Sequence, residues 1–512
     1  MKLFFSAFLF LISFFLKSQS EISWGSVYTN PQDSKHLFTV AQDDENMYVI
    51  RLDYGFKAKK IWILECVNKN TKDVIFSNPL ASAHTKNGEG TEFDNIVMLD
   101  TTLYLFSSLY KASDQSLSAY ATKINKRKGL FEETQLVYTT IVDYSEYKPN
   151  VLYSLSESGK HLLIGCSPFN SDKNSFKIIT SNLDEVSSTS LSETSVFKMT
   201  NYLALCDDSS NIFIYTYHEN NIDEENGYLI SHNAKTKNSA FLKITKPDSV
   251  CIYTSTIYMS NNKCYFFSFF HRNKVNDKIS YRTKGSLSAV IDKETKRVIN
   301  YNIHAFSKKE LIEIHGIRKN WEDTSCIYFI HDIIKNNKGD LFLIAEQNLH
   351  RHFNFFIYSR YNLLGPTPST DVPIYFSGYL SVLKMNKEDA NIDWVKLIPK
   401  NQTHAVMQYL SYSYLVNDDA LFFIYNDNMK NMTDSNPFGP ATMVNQKKAI
   451  GRIAKLTFDG SLAVKNFYFP KANQKFVLKP LVFGHLTSNK LLILADKNNL
   501  FKYGEIDVSA IK

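Results

Sequence analysis

A unit of about 50 to 60 residues recurs along this chain, a period that marks arrays and propellers. Its second half is the easier to see: LSAYATKINKRKG ending near Gly129, FKIITSNLDEV near Glu185, GYLISHNAKTKN near Lys237, GSLSAVIDKETKRV near Lys296, GYLSVLKMNKEDAN near Ala390 and IGRIAKLTFDGSL near Gly460. Each is a β-rich run, a cluster of Asn, Asp, Lys or Gly, and a return run, which is the pattern of a hairpin. A first hairpin can be matched to every unit, in HLFTVAQDDENMYVIRL, NIVMLDTTLYLFSSL, NVLYSLSESGKHLLIGC, YLALCDDSSNIFIYTYH, CIYTSTIYMSNNKCYFFSFF, CIYFIHDIIKNNKGDLFLIAEQ, YLSYSYLVNDDALFFIYND and LVFGHLTSNKLLILADK. These hairpins imply an all-β chain forming a single β-propeller of about eight four-stranded blades, with seven as the alternative count.

The termini support the count. The last unit supplies LVFGHL, KLLILAD and LFKYGEIDV and then stops, whereas EISWGSVYTN near the start is a strand without a hairpin. That strand resembles NIDWVKLIPKN, the outer strand of the sixth unit, with Trp24 standing where Trp394 stands. Lending the first strand to the last sheet covers an open edge with hydrogen bonds, so closure of the ring by the N-terminal strand is expected.

The first 20 residues, MKLFFSAFLFLISFFLKSQS, place Lys2 before an apolar run and Ser18 and Ser20 before an expected cut. The run is short for a membrane span and has the layout of a cleaved secretory leader, which leaves 21–512 as the propeller. No later stretch offers roughly 18 uninterrupted apolar residues, so no transmembrane segment is expected. Six cysteines, Cys66, Cys166, Cys206, Cys251, Cys264 and Cys326, are an even number in an exported chain and invite a disulfide reading. Most sit inside apolar strand patterns such as LLIGC and YLALC, where Cys acts as a small hydrophobe. Cys251 and Cys264 flank one hairpin, but its turn near Asn261 and Asn262 pairs Cys251 about seven residues beyond Cys264.

With 30 Tyr and 37 Phe the chain favours strands over helices. Its net charge of +7 is spread over 58 basic and 51 acidic side chains, and the lysine runs at 57–60 and 125–128 fall at turns. Basic and aromatic residues do not interleave as they do in single-strand grooves, so nucleic acid is not an expected partner.

One stretch, FSKKELIEIHGIRKNW at 306–321, breaks toward helix, with Leu311, Ile312, Ile314 and Ile317 near helical spacing after a Ser307 cap. The connections after the second strand of each blade emerge on one face, and several are long: 218–227, 271–285, 346–378 and 426–449. The longest contains NLHRHFNFFIYSRYNLLGPTPSTDVP and is aromatic, which makes it the leading interaction element. The binding candidates are therefore His350, Arg351, His352, Phe353, Phe355, Phe356, Tyr358, Arg360 and Tyr361, joined by Asn426, Asp427 and Asn428. The polar loop 426–431 can also hydrogen-bond its own backbone, the commoner use of such residues.

Catalysis in an exported propeller points first to glycan cleavage, which requires two carboxyl groups facing each other across a substrate. The inferred innermost strands carry Asp100, Asp332, His331 and His485 but no repeated acid pair, and no catalytic residue is assigned. His350 and His352 with Glu346 are ligand types for a metal, yet Arg351 intervenes and no third ligand has a telling spacing. The runs Asp43, Asp44, Glu45, Asn46 and Asp223, Glu224, Glu225, Asn226 lack the alternating oxygens and central glycine of a calcium loop and read as solvated turns. No Gly-x-Ser-x-Gly elbow occurs. Neither a metal nor a cofactor is expected.

Three stretches, AEQNLHRHFNFF, GYLSVLKMNKEDANIDWVKLIPKNQ and SYSYLVNDDALFFIYNDNMKN, resemble a set of exported, propeller-like proteins of Bacteroidota. In that set a strand ending in Glu-Gln, a Leu-Lys-Met-Asn strand, a Trp-x-Lys-x-Ile-Pro-Lys stretch and an Asn-Asp-Asn-x-Lys-Asn loop recur in this order. The resemblance is clearest over 339–431 and implies compartment and fold, with no assigned activity. No cysteine follows the leader to take a lipid, and the C-terminal residues belong to the last blade rather than to a separate sorting domain. The expectation is a non-enzymatic binding or scaffold protein of the bacterial envelope, in the periplasm or at the cell surface. Its long loops would bind a protein, with an outer-membrane uptake or protein-export complex as the kind of partner. The competing reading is a glycan-binding or glycan-cleaving propeller acting at the central funnel.

Overall fold

The computed structural model describes residues 22–31, 34–54, 60–80, 90–142, 150–167, 174–191, 201–217, 227–233, 236–244, 250–260, 262–272, 283–315, 327–348, 375–404, 407–432, 440–444, 448–470 and 476–510. The leader and the candidates His350 to Tyr361 lie outside these described residues.

Seven sheets consist of four antiparallel strands, and an eighth completes the ring, so the chain is a single all-β propeller of eight blades. Blade 1 runs from Lys35–Gln42 to Val74–Pro79, blade 2 from Glu92–Leu99 to Phe131–Ile141, blade 3 from Asn150–Leu155 to Glu185–Leu191 and blade 4 from Asn201–Cys206 to Ser239–Ile244. Blade 5 runs from Val250–Ser260 to Val298–Ala305, blade 6 from Ile327–Lys335 to Ile392–Ile398 and blade 7 from Ser413–Val416 to Leu462–Tyr468. Blade 8 takes Gly484–Thr487, Lys490–Lys497 and Leu500–Asp507 and is completed by Ser23–Thr29.

Burial explains the composition of each strand. Second strands are apolar almost without interruption, as in Ala420–Asn428 and Lys490–Lys497, because neighbouring blades cover both of their faces. Outer strands alternate, as in Val74–Pro79 and Ser239–Ile244, because part of each faces water. An apolar cluster fills each of the eight interfaces between successive blades, so the core is a ring of equivalent seams.

The turn between third and fourth strands holds the repeat in register. In blades 1 to 7 it places one residue at positive φ: Lys72, Gly129, Leu183, Lys237, Lys296, Ala390 and Gly460. An Asn, Asp or Thr opens the turn, as when Asn68 Oδ1 accepts from the Asn70 and Thr71 amides and Asn386 Oδ1 accepts from the Glu388 amide. Only two of the seven are glycine, although a non-glycine residue there costs roughly 1–2 kcal/mol. The repeat is therefore kept in conformation and blurred in sequence.

The ring closes as the termini imply. Ser23–Thr29 pairs antiparallel with Leu500–Asp507, and Trp24 stands opposite Gly504. A Cβ at 504 would lie 2.6 Å from Trp24 Cε3, so glycine is what lets the indole lie on the strand. Trp24 also meets the Tyr468 ring of blade 7 edge-on at 5.8 Å, while Lys502 Nζ sits 4.0 Å from the indole centroid. Between blades 8 and 1, buried Glu65 accepts from Tyr503 Oη at 2.6 Å and from Arg51 Nη1 at 3.1 Å, and His36 Nε2 lies 3.2 Å away. Burial opposes ionisation of Glu65, but His36, Tyr503 and Arg51 overcome it and hold the carboxyl below its ordinary value. Burial pushes the His36 imidazole below its ordinary value against the pull of Glu65.

The helix occupies Lys308–His315, within the described part of 306–321, and starts with a capping box. Ser307 Oγ accepts from the Glu310 amide at 3.3 Å and Glu310 Oε2 accepts from the Ser307 amide at 2.7 Å. Cys251 stands opposite His271 and Cys264 opposite Met259, as the turn implies. Cys66, Cys166, Cys206 and Cys264 are buried, and Cys66, Cys206 and Cys264 are free thiols.

Candidate binding face

In an up-and-down blade the connections after strands one and three lie on one face of the ring, and those after strands two and four on the other. The first face carries turns of two to six residues. Every connection longer than six residues joins strand ends on the second, including 218–226, 273–284, 306–326 and 349–379. The two faces differ in construction, and only the connection face has material to vary.

Over blades 6 to 8 that face carries an ordered layer. Tyr375–Ser377, from the long connection of blade 6, pairs with Gln402–His404, which leads into blade 7. Gln402 also bridges Met443, from the long connection of blade 7, with Thr403 N donating to Met443 O at 2.9 Å. Short 3-10 turns at Met407–Tyr409, Met429–Met432 and Pro480–Val482 complete it. Tyr409, Leu410, Met443, Ala449 and Val477 form its apolar centre.

Buried polar groups hold the layer to the blades. Glu346, near the end of Leu341–Asn348, receives Lys400 Nζ and Ser377 Oγ on Oε1 and Ser411 Oγ at 2.9 Å on Oε2. Its buried carboxyl would rise, but Lys400 and His331 hold it below the ordinary glutamate value. Lys400 Nζ also donates to Gln402 Oε1 at 3.1 Å, and Gln402 Nε2 donates to the Asn426 carbonyl at 2.6 Å. Lys479 pairs with Asp496 at 2.5 Å, and Tyr409 Oη donates to the same carboxylate at 2.6 Å.

Asn426, Asp427 and Asn428 end the strand Ala420–Asn428 instead of starting a loop. Asn426 Nδ2 donates to the Tyr409 and Leu478 carbonyls at 2.9 and 2.8 Å, so it bonds neighbouring segments. Buried Asp427 accepts from Arg452 Nη1 at 2.8 Å and from Asn431 Nδ2 at 2.7 Å, yet burial keeps its carboxyl above the ordinary aspartate value. Asn428 Nδ2 donates to Thr442 O at 2.7 Å. Of the sequence candidates, then, these three are together and described, and the first two are covered by the chain itself.

The inner strands give their acids to neighbouring blades. Asp332 Oδ2 accepts from Tyr414 Oη at 2.8 Å, and Asp94 Oδ2 accepts from Tyr153 Oη at 2.9 Å. His331 is the extra residue of a bulge between Ile330 and Asp332; its Nδ1 lies 3.3 Å from Tyr412 Oη and its Nε2 3.6 Å from Glu346. Asp100 is not in an inner strand: it sits in the first turn of blade 2 at positive φ. Asp43 Oδ1 accepts from the Glu45 and Asn46 amides, which makes that acidic run a self-bonded turn. Lys400, Ser377, Ser411 and Gln402 were not picked out by residue chemistry; Lys400 stood only as the last residue of the Trp-x-Lys-x-Ile-Pro-Lys stretch.

The class defined by this geometry is a closed eight-bladed propeller with one elaborated face. No family model and no curated protein matches the chain. Among solved structures, the polysaccharide lyase Uly1 aligns over 95% of this chain and 100% of its own, with a TM-score of 0.40 and 10% identity. An oligogalacturonate lyase in complex with manganese aligns over 80% of this chain and 94% of its own, with a TM-score of 0.36 and 10% identity. Prolyl oligopeptidase B from Galerina marginata aligns over 77% of this chain and 46% of its own, with a TM-score of 0.37 and 12% identity. The neighbours thus include lyases and peptidases, and at this similarity no chemistry is carried over from them.

Proposed function

We propose that this chain is a non-enzymatic binding scaffold of the bacterial envelope that presents its connection face to a protein partner. The carrying observation is the contrast between faces: turns of two to six residues on one, and on the other every longer connection, with an ordered layer over blades 6 to 8. Large variable loops on a rigid frame are where binding residues concentrate. The apolar leader and the resemblance to exported propeller-like proteins of Bacteroidota support the compartment. Among the described residues no helix is long and apolar enough to cross a membrane. Against a catalytic role, the acids Asp94, Asp332 and Glu346 are engaged by side chains of this chain.

The test is affinity isolation of the tagged chain from solubilised native envelope, beside a variant with altered connection-face loops and another with altered 3–4 turns. A stoichiometric protein retained by the turn variant and lost by the loop variant is the expected result. Absence of any stoichiometric partner, or cleavage of acidic glycans followed as new absorbance from unsaturated ends, overturns the reading.

A further inference from the structure

The segment that follows Ala420–Asn428 reverses the usual polarity of a surface loop. Asn426, Asp427 and Asn431 are 1%, 0% and 7% exposed, whereas Met429, Met432 and Val444 are 46%, 42% and 61% exposed. Polar side chains ordinarily face water and methionines the core. Here the polar groups are turned inward to fix the loop. Asn431 Nδ2 donates to Asp427 and to the Ala441 carbonyl at 3.0 Å, and its Oδ1 accepts from the Ala441 amide at 2.7 Å. Asn428 pins Thr442, and Met443 N donates to Asn401 O at 2.9 Å. Two short stretches, 428–432 and 440–444, are thereby tied side by side, with Met443 turned into the layer and Met429, Met432 and Val444 outward.

We infer that Met429, Met432 and Val444, flanked by exposed Lys430 and Lys448, form a preorganised docking patch for an acidic, apolar-studded segment of a partner protein. The inference rests on the binding reading above and names the partner's chemistry. Charge selects the acidic class: among the described residues of this connection the exposed charges are both cations, and Asp427 is buried against Arg452. The same cations disfavour a second copy of the patch, since like charges would face each other. Three apolar side chains are also too few to hold a chain on a lipid surface. Methionine suits the role because its flexible thioether moulds to its partner, and the pinned backbone leaves little ordering to be done on binding.

The test uses the full chain carrying a photoreactive methionine analogue at position 432, irradiated in native envelope extract, with the cross-linked peptide sequenced by mass spectrometry. The expected product is a peptide of another protein rich in Asp and Glu and carrying Leu, Ile, Phe or Met. The Met429→Glu, Met432→Glu double variant, cross-linked from position 444 instead, should lower its yield at least about tenfold. Lys430→Glu with Lys448→Glu should lower it several-fold, with the difference shrinking at high salt. The thermal unfolding of both variants should match that of the parent, because the altered side chains are exposed. A partner retained undiminished by the methionine variant, or captured only through other loops, overturns the patch and leaves the binding scaffold standing. A basic peptide, a cross-link to a second copy, or flotation of the pure chain with phosphatidylglycerol and phosphatidylethanolamine vesicles also overturns it. No cross-linked partner at any connection overturns both.

Discussion

The seam between blades 8 and 1 and the layer over blades 6 to 8 each bury a glutamate, and the two glutamates hold different things together. At the seam, Glu65 is bonded by Tyr503, 438 residues away, so the carboxylate links strands from the two ends of the ring. In the layer, Glu346 gathers Lys400, Ser377 and Ser411, all within 65 residues and all on connections. The environments are alike: both carboxyls lie below the ordinary glutamate value because neighbouring hydrogen-bond donors and charges outweigh burial. What differs is the host. One site locks the frame, and the other sets loops upon it. A buried pair is weak evidence of net stability, but breaking one leaves an uncompensated charge, so its place in the fold decides which part comes apart.

The strongest challenge to this contrast is removal of the closing strand. Deleting Ser23–Thr29 strips its ladder to Leu500–Asp507 and the Trp24 packing, and should cost at least about 5 kcal/mol. Urea unfolding with size-exclusion chromatography should show a lower midpoint and self-association through the bared edge; an unchanged monomer with the parental midpoint would break the closure argument. Next in size is the pair Glu346→Ala, which leaves buried Lys400 without its carboxylate at about 3–5 kcal/mol, and Glu65→Ala, which takes the buried acceptor from Tyr503 and Arg51 and leaves Arg51 to Asp53 alone. The seam variant should lower the global midpoint, whereas the layer variant should chiefly raise amide exchange in Tyr375–Ser377 and Gln402–His404. Equal global losses with unchanged exchange in those strands would erase the distinction.

The smallest effect is the seam's own pH dependence. His36 is held below its ordinary value of about 6.5, so below that pH the unfolded chain takes up a proton that the folded chain refuses. Stability should then fall on acidification by up to about 1.4 kcal/mol per pH unit until the folded imidazole itself titrates. The lowered Glu65 carboxyl adds a loss of the same sign at lower pH, as the pH falls through its folded value. Urea midpoints of the parent and His36→Gln, measured from pH 7 to pH 5, should show a shallower decline in the variant. Parallel profiles would remove His36 from the account.

Much of the frame was legible before any coordinates. Trp24, Trp394 and the count of hairpins implied eight blades and a lent strand, because strand patterning and turn chemistry are local and repeat. The Ser307 cap was legible for the same reason, as was the register that separates Cys251 from Cys264, whereas the cap's reciprocal partner Glu310 came with the structure. The candidate site was less so. Glu346 read as a carboxylate near His350 and His352, but its described partners are His331 of the inner strand and Lys400, Ser377 and Ser411 of the connections around blades 6 and 7. Asn426 read as the start of a self-bonded loop and instead ends a strand, with its amide given to Tyr409 and Leu478. No local pattern marks such pairings, since each is made only when separate connections are folded over the same blade.

By itself, then, the sequence determined the repeating hairpins, a count of about eight blades with seven as the alternative, and the way the ring is sealed, since alternating burial and turn-forming residues act over a few positions. Only the tertiary structure decided that Asn426 and Asp427 point inward while Met429 and Met432 point out, and that Glu65 and Glu346 are paired. Desolvation is the reason: a polar or charged side chain can be buried only where partners from distant segments arrive to meet it, and that arrival is a property of the closed ring.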